Sequence, residues 1–188
     1  MTSPEPYLSH LRLRNSSAKL VEPAPSDEEV DEMLLCALRS PDHARLRPWR
    51  FISIRGSRRE DFGALLEASL LRSNPEADET ARARARAAPL RAPLVVVVLA
   101  AVTEHPKVPA WEQRMSAGCA AFSVQLAAEA LGYASIWRTG AYPDDPGLVR
   151  DLGAADNEEI VAFLYIGSRG CEAKPLPELA PADYHRTW

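Results

Sequence analysis

The chain has 188 residues, of which 46% are hydrophobic and 26% charged, with a formal net charge of -4 and a pI near 5.6. That length suits one domain with a real core, and the acidic balance argues against a general nucleic-acid binder. The longest apolar run, Ala92 to Val102, is too short to span a bilayer, and MTSPEPYLSHLRLR lacks the apolar stretch of a signal peptide. The three cysteines (Cys36, Cys119, Cys171) are scattered, without zinc spacing or a disulfide framework. They predict a reduced cytoplasmic protein, with Cys36 and Cys119 as small core residues.

In chain order, Tyr7 to Arg14 is a short helix candidate carrying Leu8, Leu11 and Leu13, and the cluster Arg14-Asn15-Ser16-Ser17 after it reads on its own as a solvated turn. Ser26, with Glu29 three residues on, is a capping-box pattern that opens a helix. The helix runs to about Arg39 with Val30, Met33, Leu34 and Ala37 on one face, and Pro41 stops it. The loop that follows holds His43, Arg45, Arg47, Trp49 and Arg50, a density of donors that points to an anion or polar-ring site. Phe51 to Ile54 alternates as a first strand.

Residues 57 to 72 form an amphipathic helix pattern on Phe62, Leu65, Leu66, Leu70 and Leu71, broken by Asn74-Pro75. A second helix is expected from Glu76 to Ala88; its Arg82, Arg84 and Arg86 alternate and so should fan around a solvated helix. LVVVVLAAV has no alternation, which suggests a strand buried on both faces at the centre of a sheet. Between Ser116 and Leu131 the only charge is Glu129, so this helix belongs in a core or a large interface. Gly132 ends it. YASIW re-emerges as a strand and delivers a cation and a hydroxyl, Arg138 and Thr139, to the edge of the core. A short helix over Pro143 to Asp151 and a strand over Ile160 to Gly167 follow. The tail, Ser168 to Trp188, is rich in Pro, Glu and Ala and should be extended, either wrapping a partner or mobile. This order of elements implies an α+β, three-layer arrangement around one sheet.

The dinucleotide-binding GxGxxG, the P-loop, GxSxG and HExxH are all missing, and the four histidines do not pair at metal-ligand spacing. A basic, aromatic-flanked pocket without a catalytic side-chain set fits an enzyme whose cofactor carries the reactive atoms.

Three anchors together resemble the nitroreductase family of FMN enzymes, in particular its small bacterial branch. They are Arg14-Asn15-Ser16 ahead of Glu22-Pro23-Ala24-Pro25; Ala37-Leu38-Arg39-Ser40-Pro41-Asp42-His43 with Arg47-Pro48-Trp49-Arg50-Phe51; and Lys107-Val108-Pro109, Trp111-Glu112-Gln113 and Met115-Ser116-Ala117-Gly118-Cys119 leading to Ile136-Trp137-Arg138-Thr139-Gly140. Ala162 to Gly167 adds the last strand.

The resemblance implies a single domain over 1–188 with a core at about 10–168, a three-layer α/β/α fold and a mostly antiparallel sheet. It implies a homodimer with two FMN molecules in clefts between subunits. NAD(P)H would reduce the flavin, and the flavin a nitro or quinone-like acceptor, in a two-electron ping-pong reaction. Carried over, Arg14, Asn15 and Ser16 would bind the phosphate and ribityl side of FMN, and Trp137, Arg138 and Thr139 would flank the same flavin. Arg39 and His43 would reach the partner subunit's flavin. Ala127, Ala128, Glu129, Ala130, Leu131 and Gly132 are candidates for contact with the pyridine nucleotide. No catalytic side chain and no metal is implied.

The chain departs from the family pattern at Asn15, where a second Arg is more usual, and at Ala44 and Arg47, where Asn or Gln is usual. Lys174 and Arg169 could restore phosphate charge from the tail. Two other readings stay open: a flavin-binding sensor or carrier without turnover, and a flavoenzyme of the same fold running other redox chemistry.

Overall fold

The computed structural model describes residues 5–188. Its sheet is built on β3 (Leu94–Ala101), which pairs antiparallel with β2 (Trp49–Arg55) on one side and β5 (Glu158–Arg169) on the other. β4 (Ala134–Trp137) and the two-residue β1 (Leu20–Val21) also pair antiparallel with β5. All eight residues of β3 are buried, as its run of valines predicts for a central strand.

Alternation along β3 feeds two cores. Leu94, Val96, Val98 and Ala100 point to one face, where they meet Val30, Met33 and Ala37 of α2 (Asp27–Ala37) and Ala117, Ala120, Ala121 and Val124 of α5 (Ala110–Ala130). Val95, Val97 and Leu99 point to the other face. There they meet Phe62 and Leu66 of α3 (Arg58–Ser73), Ala85 of α4 (Glu79–Ala87) and Leu148 and Val149 of α6 (Pro146–Asp151). Phe62 meets Phe163 edge-on at 5.3 Å between ring centroids. Each large side chain buried this way contributes about 1.5–3 kcal/mol. The result is the expected three-layer α/β/α fold with an antiparallel sheet. α1 (Glu5–Leu13) lies against α5, where His10 Nε2 donates to the Leu126 carbonyl at 2.9 Å.

Helix starts follow their caps. Ser26 and Glu29 form a full capping box at α2, Asp78 caps α4, and Asp145 caps α6. α4 therefore begins at Glu79 and not at Glu76, and α2 ends at Ala37, two residues before Arg39.

Two expectations are corrected. Cys36 and Cys119 are exposed and not core residues. They fall on the outer faces of α2 and α5, because Val30, Met33 and Ala37 of α2 and the alanines of α5 are what pack in the core. Arg82 and Arg86 do not fan out: they are four residues apart, hence on one face, and both bond Glu67 of α3. Finally, β1 was not foreseen, since two residues carry no periodicity.

α5 buries two amides among its alanines and leaves large apolar side chains outside. Gln113 and Gln125 lie inside, while Trp111, Met115 and Phe122 are exposed. Gln113 binds the Thr103 backbone through both its donor and its acceptor (2.8 and 2.9 Å) and reaches Val108 O at 3.2 Å, fixing the loop ahead of the helix. Gln125 donates to Ser135 Oγ of β4 at 3.1 Å.

Candidate functional site

The predicted site residues fall into two groups, one at each end of α5. At its C-terminal end, the Glu129 carboxylate accepts from Asn15 N at 3.2 Å. The Ser17 N–H donates to the Ser135 carbonyl of β4 at 3.0 Å. Trp137 lies two residues further along β4, roughly 7 Å away. The segment of Arg14, Asn15 and Ser16, all half-buried, thus runs into a contact with β4, the strand that ends at Trp137 and leads into Arg138 and Thr139.

Local hydrogen bonds fix this group. Thr139 Oγ1 accepts from Trp137 Nε1 at 2.9 Å and from Phe163 N at 3.2 Å. Both its lone pairs are then engaged, which leaves the hydroxyl proton to donate. The Arg138 N–H donates to the Phe163 carbonyl at 2.9 Å, holding the strand end in place. Tyr133, on the rim of a cavity shared with His10, Leu13, Glu129, Gly132 and Arg169, donates to Glu29 Oε2 at 2.7 Å. That bond, with burial, raises the Tyr133 phenol above its usual range, and it lowers the Glu29 carboxyl.

The tail reaches the same place. Asn15 Nδ2 donates to the Lys174 carbonyl at 2.5 Å, Arg169 donates to the Asn15 carbonyl at 3.5 Å, and the Gly170 N–H bonds the Lys19 carbonyl at 3.0 Å. Arg169 and Lys174 therefore stand next to the 14–16 segment, although sequence alone could not align them. Asn15, where an Arg is more usual in the family pattern, spends its amide on the tail.

At the N-terminal end of α5, His43 Nδ1 is 2.8 Å from Glu112 Oε1. The carboxylate makes Nδ1 the donor and leaves Nε2 as the free ring nitrogen. His43 shares a cleft with Pro41, Trp111, Glu112, Met115, Ser116 and Cys119. Arg39 lies on the adjacent wall, in a polar hollow with Asp42, Arg45, Arg47 and the buried Trp49. The Asp42 carboxylate accepts from Leu46 N at 3.0 Å and Arg47 N at 2.8 Å and so shapes the loop. Glu112 carried no assigned role in the sequence reading, although its motif was noted.

The two groups do not meet within the chain: Glu112 and Glu129 are about 25 Å apart at 1.5 Å of rise per residue. Of the six nicotinamide-contact candidates, Ala127 and Ala128 are buried, Glu129 is half-buried and bonded to Asn15, and Ala130, Leu131 and Gly132 are exposed.

Residues 12–168 match the model of the Nitroreductase family. The chain belongs to the nitroreductase family. It is 43% identical over 155 residues, covering 82% of this chain and 84% of the relative, to the Escherichia coli K12 protein named "Putative NAD(P)H nitroreductase YdjA". Among solved structures, a nitroreductase-like family protein from Bacillus cereus superposes with a TM-score of 0.83 over 100% of this chain and 98% of its own, at 20% identity. A nitroreductase with bound FMN from Bacteroides fragilis superposes with a TM-score of 0.72 at 22% identity, covering 92% and 94% of the two chains. At such identities the likeness is one of fold.

Proposed function

We propose that this nitroreductase-family chain is an FMN-dependent NAD(P)H oxidoreductase that acts on nitro or quinone-like acceptors in a ping-pong cycle. The observation that carries the proposal is the split site: two sets of cofactor-type residues stand at opposite ends of one helix whose outer face is apolar. Trp111, Met115 and Phe122 mark that face, with Cys119 between them. A second copy packed antiparallel along α5 would bring Arg39 and His43 of one subunit to Arg14 and Trp137 of the other. The working unit is then a cytoplasmic homodimer of single-domain subunits with two clefts.

The donor set fits FMN. Arg14, with Arg169 and Lys174 beside it, offers positive charge to the phosphate, while Asn15 and Ser16 offer polar groups to the ribityl chain. Trp137 offers an aromatic wall, Arg138 a further cation, and the Thr139 hydroxyl a proton for a ring carbonyl or nitrogen. Arg39 and His43 of the partner complete the polar edge. FMN, when bound, would supply the redox chemistry, taking a hydride from NAD(P)H and passing two electrons to the acceptor. The side chains orient the ring and meet its charge, and none of them needs to act as a nucleophile. The nicotinamide would enter over the same cleft, near the exposed turn Ala130 to Gly132.

The test is the visible spectrum of the freshly purified protein, with the chromophore identified by mass, followed by NAD(P)H oxidation assays with nitroaromatics and quinones. Bound FMN with acceptor-dependent turnover is expected. A colourless protein that takes up no added FMN would overturn the proposal.

A further inference from the structure

The loop between α2 and β2 holds its backbone in an unfavourable shape. Ala44, Arg45 and Arg47 have φ of 63°, 56° and 51°, and none of them is glycine or asparagine. The left-handed region is sterically unfavourable for side chains of this kind. The Asp42 carboxylate enforces the shape by accepting from Leu46 N and Arg47 N, and Arg50 adds a bond of 3.1 Å to the Arg47 carbonyl.

Arg45 and Arg47 of this backbone, with Arg39 at the end of α2, line one polar hollow of about 420 Å³. None of the three has a carboxylate within ion-pairing distance among the described residues, whereas Arg50 next to them pairs with Glu158 at 3.7 Å. The acid lining the hollow, Asp42, is occupied with the backbone. The buried Trp49 and Ser40 also line it, and the Ser40 hydroxyl lies 3.2 Å from Ser123 Oγ. A strained loop that lines a hollow with three arginines lacking a carboxylate partner offers charge to an anion.

We propose that this hollow is an oxyanion-binding subsite that selects substrates bearing a phosphate or a carboxylate. Arg45 and Arg47 are its specificity-determining residues. The proposal rests on reading the neighbouring His43 cleft as the redox site, since Asp42 lines both. Two sources supply the same chemistry: the 2'-phosphate of NADPH, or an acid group on the acceptor.

Equilibrium binding to the purified protein in its native cofactor state distinguishes them. One probe pair is 2',5'-ADP against 5'-AMP, and the other is 4-nitrobenzoate against 4-nitrobenzamide. The expected result is a preference of at least about tenfold for the more anionic member of one pair, the low end of what a charge-assisted hydrogen bond supplies. The preference should weaken as salt is raised. It should largely disappear in R45N/R47N, where asparagine tolerates the left-handed backbone, and persist in R45K/R47K. The pair that discriminates names the source.

No discrimination by either pair, or discrimination unchanged in R45N/R47N, overturns the subsite. Steady-state assays with both NADH and NADPH separate this from the parent reading. Turnover without anion discrimination removes only the subsite. Discrimination without any turnover keeps the subsite and removes the oxidoreductase.

Discussion

Glu112 and Glu129 sit at opposite ends of α5, and each holds one half of the proposed cleft: Glu112 bonds the imidazole of His43, and Glu129 bonds the backbone N–H of Asn15. One rigid helix thus sets the spacing of both halves. Any copy that docks along it antiparallel inherits that spacing.

If the cleft forms between subunits, breaking the α5 face should remove the cofactor. Met115 is 61% exposed and Phe122 41%, far more than apolar residues of a helix packed on both sides. Met115→Glu and Phe122→Glu place like charges across the contact and should yield monomers by sedimentation. FMN affinity should fall by at least about tenfold, as when a central interface residue is lost. A monomeric variant that keeps its full complement of flavin would show that one chain builds the whole site.

Arg14 is half-buried and precedes Asn15, which bonds the tail at Arg169 and Lys174. Arg14→Ala should weaken FMN by about 1.5–3 kcal/mol, the contribution of a charged hydrogen bond. Quenching of flavin fluorescence on titration measures this. Unchanged affinity would move the phosphate away from the 14–16 segment, leaving Arg169 and Lys174 as its partners.

Much of this arrangement could be read in the sequence, and the misreadings have physical reasons. LVVVVLAA announced the central strand because burial on both faces suppresses alternation. The same logic applied to α5 left core and interface undivided. Both are dry, so the sequence of one chain could not say that Cys119 and Phe122 lie on the open side. The arginines of α4 were read by their two-residue spacing, whereas Glu67 on another helix selects the pair four apart. The placement of Lys174 beside Asn15 rests on a long-range contact to a backbone carbonyl, which leaves no trace in residue identity.

Gln113 tests how much the loop before α5 depends on one buried amide. Its bonds to Thr103 N, Thr103 O and Val108 O satisfy three backbone groups. Gln113→Leu keeps the bulk and strands all three, at about 1–3 kcal/mol for each group that water cannot reach. A loss of about 3 kcal/mol is expected in chemical denaturation. Gln113→Glu should do little better, because a carboxylate cannot donate to the two carbonyls. A loss under about 0.5 kcal/mol, the size of a neutral surface change, would mean that the loop is held by other contacts.

Arg72 ties α3 to α6 through Asp145 and Asp151, with Nη2 to oxygen distances of 2.8 and 3.0 Å. Burial pushes the Asp145 carboxyl up, but the Arg72 and Ser69 hydrogen bonds, the Gly147 N–H and the Arg72 charge outweigh it and hold the group below its usual range. A carboxyl lowered by folding adds stability that is fully present above its unfolded value, about 3.9, and is lost as pH falls through the lower folded value. Asp145→Asn keeps an oxygen to cap α6 while removing the charge, so it isolates the ion pair. Arg72 is 41% exposed, and solvent screening limits the pair to about 1 kcal/mol. Wild type should exceed the variant by that margin from neutral pH down to about 5, with the gap closing below about 4. Thermal denaturation across this range checks it, and a gap that stays constant through the acid limb would show that the difference does not come from the Asp145 charge.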